Sequence, residues 1–174
     1  MPRIQPDNVD NQMPSITFRF VPMSREQAAE LCGWRYEPPF GLYGWSDWSR
    51  MESEGIEFGD SAIRERQYTA AVDDEGRMIG FAQLFPILGV TRLGLGLRPD
   101  LCGHGLGPAF ARAAAEEALR RASGDAVDLE VLTWNTRAIR AYEKAGFVIE
   151  DTYDRPTPSG NAEFHCMVYT GPDA

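Results

Sequence analysis

Alternation of hydrophobic and polar residues predicts the strands of a single sheet. Near the start of the chain, Ile16, Phe18 and Phe20 alternate with polar neighbours, as in a half-buried strand. Further on, two β-rich runs flank the turn-forming residues 73–76 and predict an antiparallel hairpin. The predicted strands cover residues 16–21, 67–72, 78–85, 90–97, 127–132, 147–153 and 163–169.

Apolar residues at helical spacing predict two helices in the second half of the chain. The first covers residues 105–122 and ends before Gly124. The second begins after Asn135, a favoured N-cap residue, and ends at Gly146. Shorter helices are predicted over residues 25–31 and 46–54.

The order of these elements mixes hairpins with crossover helices. Such an order predicts a mixed sheet covered by helices, in an α/β (α+β) fold. The length of 174 residues is typical of one domain. We therefore expect a flexible N-terminal tail over residues 1–15 and a single domain over residues 16–174.

Six aromatic residues crowd a segment that prolines and glycines mark as a loop. They are Trp34, Tyr36, Phe40, Tyr43, Trp45 and Trp48. Aromatic rings supply large contact areas both in a core and in a ligand site. The segment is therefore predicted either to cap the core or to form a wall that binds a substrate.

The chain is acidic, with 26 Asp and Glu residues against 17 Lys and Arg residues and a net charge of -9. Nucleic-acid binding depends on clustered basic residues, so this balance argues against a nucleic-acid partner. The same negative charge attracts a cationic substrate such as an amine.

The hydrophobic runs and the cysteines indicate the cellular compartment of the protein. No apolar run approaches the roughly 20 residues that span a bilayer, and the N-terminus lacks the apolar segment of a secretory signal. Cys32, Cys102 and Cys166 are odd in number and far apart, which favours reduced thiols over a disulfide framework or a zinc site. We therefore expect a cytoplasmic protein with no membrane partner.

Residues 95–107 lead from a strand through a glycine-rich turn into the start of a helix. Unpaired amides and the positive end of the helix dipole suit a phosphate or pyrophosphate there, although a simple tight corner has the same composition. The spacing Gly103-x-Gly105-x-Gly107 lacks the final interval of the dinucleotide fingerprint, and the Gly-Lys-Ser/Thr of a P-loop is absent. In the preceding strand, Gly94 and Gly96 predict a bulge or a close approach to the backbone.

A second motif follows the turn and its helix. It reads Leu129-Glu130-Val131 and then Asn135-x-x-Ala138-x-x-x-Tyr142-Glu143-Lys144-x-Gly146-Phe147. Together with the strand, turn and helix before it, this motif resembles the GNAT acetyltransferase superfamily over about residues 67–169. The twelve-residue step from Glu130 to Tyr142 is also similar to that of the ribosomal-protein N-terminal acetyltransferases in the superfamily.

The resemblance implies a fold and a cofactor. The fold is a mixed, mostly antiparallel sheet of six to seven strands with helices on both faces. The cofactor is acetyl-CoA, with no metal, and its pantetheine arm lies in a V-shaped gap beside the strand that precedes the turn. The implied cofactor-binding residues are Leu95, Gly96, Leu97, Cys102, Gly103, His104, Gly105, Leu106, Gly107 and Asn135.

The resemblance also implies catalytic roles for two residues. Acetylation of an amine needs a base, an oxyanion donor and an acid. Glu130 is the implied base, acting through water, and Tyr142 is the implied acid that protonates the departing sulfur. The alternatives are a Glu130 carboxylate satisfied at a strand edge and a Tyr142 ring that belongs to the core.

The expected function is an N-acetyltransferase that moves an acetyl group from acetyl-CoA to a primary amine by direct attack in a ternary complex. The acceptor is a small-molecule amine or a protein amino group, and members of the superfamily frequently form homodimers. Two departures from the family pattern, Cys102 in place of Arg or Gln and Pro108 inside the helix, motivate an alternative. In that alternative the chain is a non-catalytic acyl-CoA-binding or sensing domain.

Overall fold

A computed structural model describes residues 15–172. The predicted tail covers residues 1–15, and residues 1–14 of it lie outside the described range. None of the helices within it is long and apolar enough to cross a membrane.

Seven strands form one sheet. They are β1 (Arg19–Pro22), β2 (Tyr68–Val72), β3 (Met78–Ile87), β4 (Val90–Leu97), β5 (Ala126–Leu132), β6 (Phe147–Thr157) and β7 (Gly160–Tyr169). Their order across the sheet is β1-β2-β3-β4-β5-β7-β6, and every neighbouring pair is antiparallel except β4 with β5. The expected mixed, mostly antiparallel sheet is confirmed. The last two strands are longer than predicted because their exposed, polar outer ends carry no hydrophobic alternation.

Five α-helices connect the strands. They are α1 (Arg25–Cys32), α2 (Trp48–Glu54), α3 (Ser61–Gln67), α4 (Gly107–Arg121) and α5 (Thr136–Ala145). The sequence pattern did not predict α3, because it is short and Ile63 is its one large apolar residue. A local signal does mark its start, since the Asp60 carboxylate accepts hydrogen bonds from the amides of Ala62 and Ile63.

Helices cover both faces of the sheet, as expected. Successive residues of a strand point to opposite faces. On β2, Ala71 packs with Phe110 of α4, whereas its neighbour Ala70 packs with Leu31 of α1 and Met51 of α2. The α4 and α5 layer therefore lies on one face, and α1 and α2 lie on the other.

Local signals fix the ends of α5, the helix nearest the predicted site. The Asn135 carboxamide oxygen accepts a hydrogen bond from the Ala138 amide at 3.2 Å, which confirms the predicted N-cap. Gly146 ends the helix with a φ of 112°, a conformation that favours glycine. The Tyr142 position is thereby set relative to the end of β5.

Candidate active site

Strands β4 and β5 pair along only part of their length. Their parallel register runs from Val90 opposite Ala126 to Leu93 opposite Leu129 and then stops. Beyond that point β4 stays paired with β3 as far as Leu97, and β5 stays paired with β7 as far as Leu132. Because each strand follows its other neighbour, the two strands part and leave a V-shaped gap, as expected.

A cavity of about 780 Å³ opens at this gap. Eight of the ten expected cofactor-binding residues line it: Leu95, Gly96, Leu97, Cys102, Gly103, Gly105, Gly107 and Asn135. The other two, His104 and Leu106, lie in the same turn but do not line the cavity. The cavity is thus bounded by β4, by the glycine-rich turn and by the start of α5.

Side chains of the neighbouring strand β3 explain why glycine occupies positions 94 and 96 of β4. The register of β4 with β3 is continuous, so the first predicted alternative, a bulge, is wrong, whereas the second, a close approach to the backbone, is confirmed at Gly96. A Cβ atom at Gly96 would lie 2.3 Å from the ring of Phe81 on β3, and one at Gly94 would lie 3.3 Å from the Gln83 Cβ atom. The cross-strand neighbours therefore require small residues at these two positions of the cavity wall.

The glycine-rich turn presents backbone donors to the cavity. Gly103 and Gly105 each have a φ of 78°, which favours glycine at both positions. Within residues 15–172, the amides of residues 103–107 have no hydrogen-bond acceptor, and no side chain caps α4 at Leu106. Since these amides lie at the positive end of the α4 dipole, the turn has the chemistry of an anion site. The residues present thus fit the diphosphate of a coenzyme A group.

Cys102 replaces a polar family residue in this turn, and its thiol is not activated. Burial raises the pKa of the Cys102 thiol, and the nearby Arg137 charge only partly opposes this effect. The sulfur atom lies 3.7 Å from the Arg98 carbonyl oxygen. A neutral thiol adds no charge to the anion site.

Cations that face the cavity come from α5 instead. Arg137, Arg140 and Lys144 line the cavity at helical spacing, and within the described range none of them forms an ion pair with a carboxylate. Arg98 is engaged elsewhere, because its guanidinium donates to the Asp100 carboxylate at 2.6 Å. The α5 side of the cavity therefore carries a surplus of positive charge.

Tyr142 belongs to the cavity wall and to the core at the same time. It lines the cavity, and its ring packs against Phe147 with the ring centroids 5.9 Å apart. Burial raises the pKa of the Tyr142 phenol well above its ordinary range. The hydroxyl is therefore protonated throughout the neutral and moderately alkaline range.

Two hydrogen bonds and one further ion pair hold the Glu130 carboxylate at the gap. Its Oε1 atom accepts from Arg92 Nη1 at 3.0 Å, and its Oε2 atom accepts from the Tyr153 hydroxyl at 2.8 Å. Arg155 Nε lies 3.3 Å from the same Oε2 atom. Arg92 also donates to both oxygens of Asp128, at 3.0 and 2.8 Å. This network was not predictable from the sequence, since alternation places Arg92 on a strand face but does not give the register that sets it opposite Asp128.

The aromatic loop contributes to the core and to the cavity. Trp34 is buried in the core, and Trp48 lies between the guanidinium groups of Arg25 and Arg64. The remaining four rings line the cavity: Tyr36, Phe40, Tyr43 and Trp45. The core interpretation is therefore confirmed for Trp34, and the four rings in the cavity wall are placed where the predicted substrate-binding wall would lie.

Two hydrogen bonds fasten this loop across the gap. The Tyr36 hydroxyl donates to the Leu97 carbonyl oxygen at 2.7 Å, at the end of β4. The Asn135 amide nitrogen donates to the Tyr43 hydroxyl at 3.0 Å. Asn135 thus caps α5 with its oxygen and holds the loop with its nitrogen. Among the residues that the structure describes, no group of three or more His, Cys, Asp or Glu side chains could hold a metal ion.

Solved structures with the same fold include several N-acetyltransferases. A chimera of Vibrio cholerae spermidine N-acetyltransferase SpeG and hSSAT is 14% identical, with a TM-score of 0.69, and covers 87% of this chain and 94% of its own. The ribosomal-protein-S18-alanine N-acetyltransferase from Escherichia coli is 21% identical, with a TM-score of 0.59 and coverages of 88% and 93%. AAC(6')-Ib in complex with parmomycin and acetyl-CoA is 25% identical, with a TM-score of 0.66 and coverages of 90% and 93%.

No curated protein sequence shows significant similarity to this chain. The model of the acetyltransferase (GNAT) family matches residues 28–147, which is more than half of the chain. This match includes the parted strands, the glycine-rich turn and both residues expected to act in catalysis. The chain therefore belongs to the GNAT family of acetyltransferases.

Proposed function

We propose that this protein transfers an acetyl group from acetyl-CoA directly to a primary amine while both are bound. The amine nitrogen attacks the thioester carbonyl carbon, the carbon–sulfur bond breaks, the nitrogen loses a proton and the sulfur gains one. The observation that carries this proposal is the separation of β4 and β5 beyond Leu93 and Leu129. The separation leaves a passage through the sheet in which a donor from one side and an acceptor from the other side could meet.

Coenzyme A supplies an activated acyl group and a thiol leaving group when it is bound. The amides of residues 103–107 are suited to hold its diphosphate, and β4 from Leu95 to Leu97 is suited to bond the pantetheine arm. The α5 cations Arg137, Arg140 and Lys144 support this assignment, since they supply the charge that Cys102 does not.

Tyr142 is the acid in this proposal. A group that gives a proton to a leaving thiolate must be protonated at the working pH. Burial raises the pKa of the Tyr142 phenol, which keeps the proton available, and the residue lines the cavity. Packing against Phe147 restricts its ring and so positions the hydroxyl.

Glu130 is the proton acceptor in this proposal, acting through a water molecule. It is the one carboxylate among the described residues that line the cavity at the gap. Its contacts with Arg92, Tyr153 and Arg155 fix the side chain and leave acceptor capacity on the carboxylate. A water molecule bound there would relay the proton from the amine to Glu130.

The acceptor is a small-molecule amine or a protein amino group, and we propose a cytoplasmic location. The net charge of -9 supports a cationic acceptor. The three cysteines are free thiols, which supports a reducing compartment. The second candidate function is a non-catalytic acyl-CoA-binding domain, favoured by the uncharged Cys102 in the turn.

We expect the purified protein to release free thiol from acetyl-CoA when a primary amine is added. Thiol release is followed across a panel of aliphatic amines and amino-terminal peptides, and calorimetry measures acetyl-CoA binding in parallel. A protein that binds acetyl-CoA tightly but transfers acetyl to no amine would support the non-catalytic domain instead.

The Tyr142→Phe substitution is expected to lower kcat by about 100-fold, because a positioned general acid contributes about this much. The KM for acetyl-CoA should change little, since the ring is kept. Tyr169→Phe is the matched control, because Tyr169 also packs against Phe147, with ring centroids 5.1 Å apart, but does not line the cavity. Equal rates for the two variants would remove Tyr142 as the acid.

The Glu130→Gln substitution is expected to lower kcat/KM most at low pH. Fewer acceptor amines are neutral there, so the reaction depends more on a protein base. Asp128→Asn is the control, since Asp128 shares Arg92 with Glu130 but does not line the cavity. A profile of kcat/KM against pH that keeps its shape in Glu130→Gln would assign Glu130 to structure alone.

Replacing Arg140 and Lys144 together by Gln is expected to weaken acetyl-CoA binding about tenfold, through loss of two charges near the phosphates. The control replaces Arg19 and Arg66 by Gln, which changes the net charge equally at exposed positions outside the cavity. Calorimetry at low and high salt measures the affinity of each double variant for acetyl-CoA. If the two double variants lose affinity equally, the α5 cations act only through the net charge.

A further inference from the structure

A second recess of about 500 Å³ opens on the face of the sheet opposite α4. The side chains of Arg92, Asp128 and Glu130 bond to one another and so share this face. Their neighbours Leu93 and Leu129 point the other way, into the core beneath α4. The recess therefore lies across the sheet from the core that α4 covers.

The recess adjoins the cavity at the gap. The two share four lining residues: Gln83, Leu93, Gly94 and Glu130. A molecule that extends from the gap along this face would pass Glu130 and then reach the outer wall of the recess. The acceptor of the proposed reaction enters from this direction if the donor occupies the glycine-rich side.

The charged residues that line the recess are paired with one another, except Glu57 at its outer wall. Arg92 and Arg155 face Glu130 at 3.0 and 3.3 Å, so these charges compensate one another. Glu57 also lines the recess, and within residues 15–172 no Lys, Arg or His forms an ion pair with its carboxylate. The uncompensated charge available to a ligand is therefore negative.

A buried phenol holds the Glu57 carboxylate in place. The Tyr68 hydroxyl donates to Glu57 Oε2 at 2.7 Å, and the Tyr68 side chain is 2% exposed. Glu57 is also the one non-glycine residue in the described range with a positive φ, 47°. A carboxylate fixed in this way loses little conformational entropy when it binds a cation.

Two apolar side chains form part of the lining of the recess. Phe85 and Ile87 belong to the recess and are 44% and 38% exposed. Side chains of this kind contact methylene groups rather than charges. The recess thus places two exposed apolar side chains and the Glu57 carboxylate in a lining that is otherwise largely polar.

We propose that Glu57 binds a second cationic group of the acceptor, so that the preferred acceptors are aliphatic diamines rather than simple monoamines. This inference rests on the proposed acetyl transfer. One amino group reacts at the gap, the methylene chain lies along Phe85 and Ile87, and the other ammonium group pairs with Glu57. Arg155 remains on Glu130 and over the Phe164 ring, 4.3 Å from its centroid.

The test compares diaminobutane with butylamine, which have the same number of carbons. Glu57→Gln keeps an acceptor for the Tyr68 hydroxyl but removes the charge. We expect this variant to lower kcat/KM for diaminobutane about fivefold, the size of a partly exposed ion pair. Its kcat/KM for butylamine and its KM for acetyl-CoA should match the wild type.

Two variants make the result specific. Glu65→Gln removes the same charge from an exposed position on α3 outside the recess and should leave both amines unaffected. Tyr68→Phe keeps the buried ring but releases the Glu57 carboxylate, and it should raise the KM for diaminobutane alone. If Glu57→Gln does not fold, as judged by circular dichroism, Tyr68→Phe carries the test.

Calorimetry of diaminobutane binding separates this inference from the proposed function. Weaker binding to Glu57→Gln than to the wild type, with unchanged butylamine binding, supports the recess as a diamine site whether or not acetyl transfer occurs. Equal binding and equal kcat/KM for diaminobutane in the two proteins overturn it, while acetyl transfer to butylamine would still uphold the proposed function.

Discussion

Strand β4 is hydrogen-bonded to β3 and strand β5 to β7, and these pairings determine the shape of the whole site. After Leu93 and Leu129 the two strands diverge, because β4 continues along β3 and β5 continues along β7. Backbone groups at such a divergence need partners other than a neighbouring strand. At Leu97 this partner is the Tyr36 hydroxyl, which donates to the carbonyl oxygen. The divergence of the two strands therefore both opens the gap and provides the acceptor that holds the aromatic loop beside it.

The gap separates two regions of unlike charge in a chain that is acidic as a whole. On the α4 and α5 side, backbone amides face the cavity beside three cations that form no ion pair within residues 15–172. On the other face, Glu57 adds a carboxylate to the balanced network around Arg92. A phosphate-bearing donor and a cationic acceptor are thus attracted to opposite sides of one passage, which favours their meeting in the required orientation.

Local chemistry predicted the parts of the site that depend on neighbouring residues. Asn135 and Gly146 mark the ends of α5 by capping preferences alone, and the glycine-rich turn is recognisable from composition. The partners of Glu130 were not predictable, because they depend on the registers of β5 with β4, β7 and β6. At Gly96 the sequence left a bulge and a close approach as alternatives for a similar reason, since only the register of β3 with β4 shows that the Phe81 ring packs against that glycine.

Glu130 connects the two regions, and its contacts decide how the site responds to an acceptor. Arg92 is fixed by Asp128, whereas Arg155 is half exposed and bonds Glu130 at the longest of the three contacts. Of the two cations beside Glu130, Arg92 is therefore the more firmly held. Stacking on Phe164 holds the Arg155 guanidinium beside Glu130, so the buried carboxylate keeps its compensating charges while an acceptor occupies the recess.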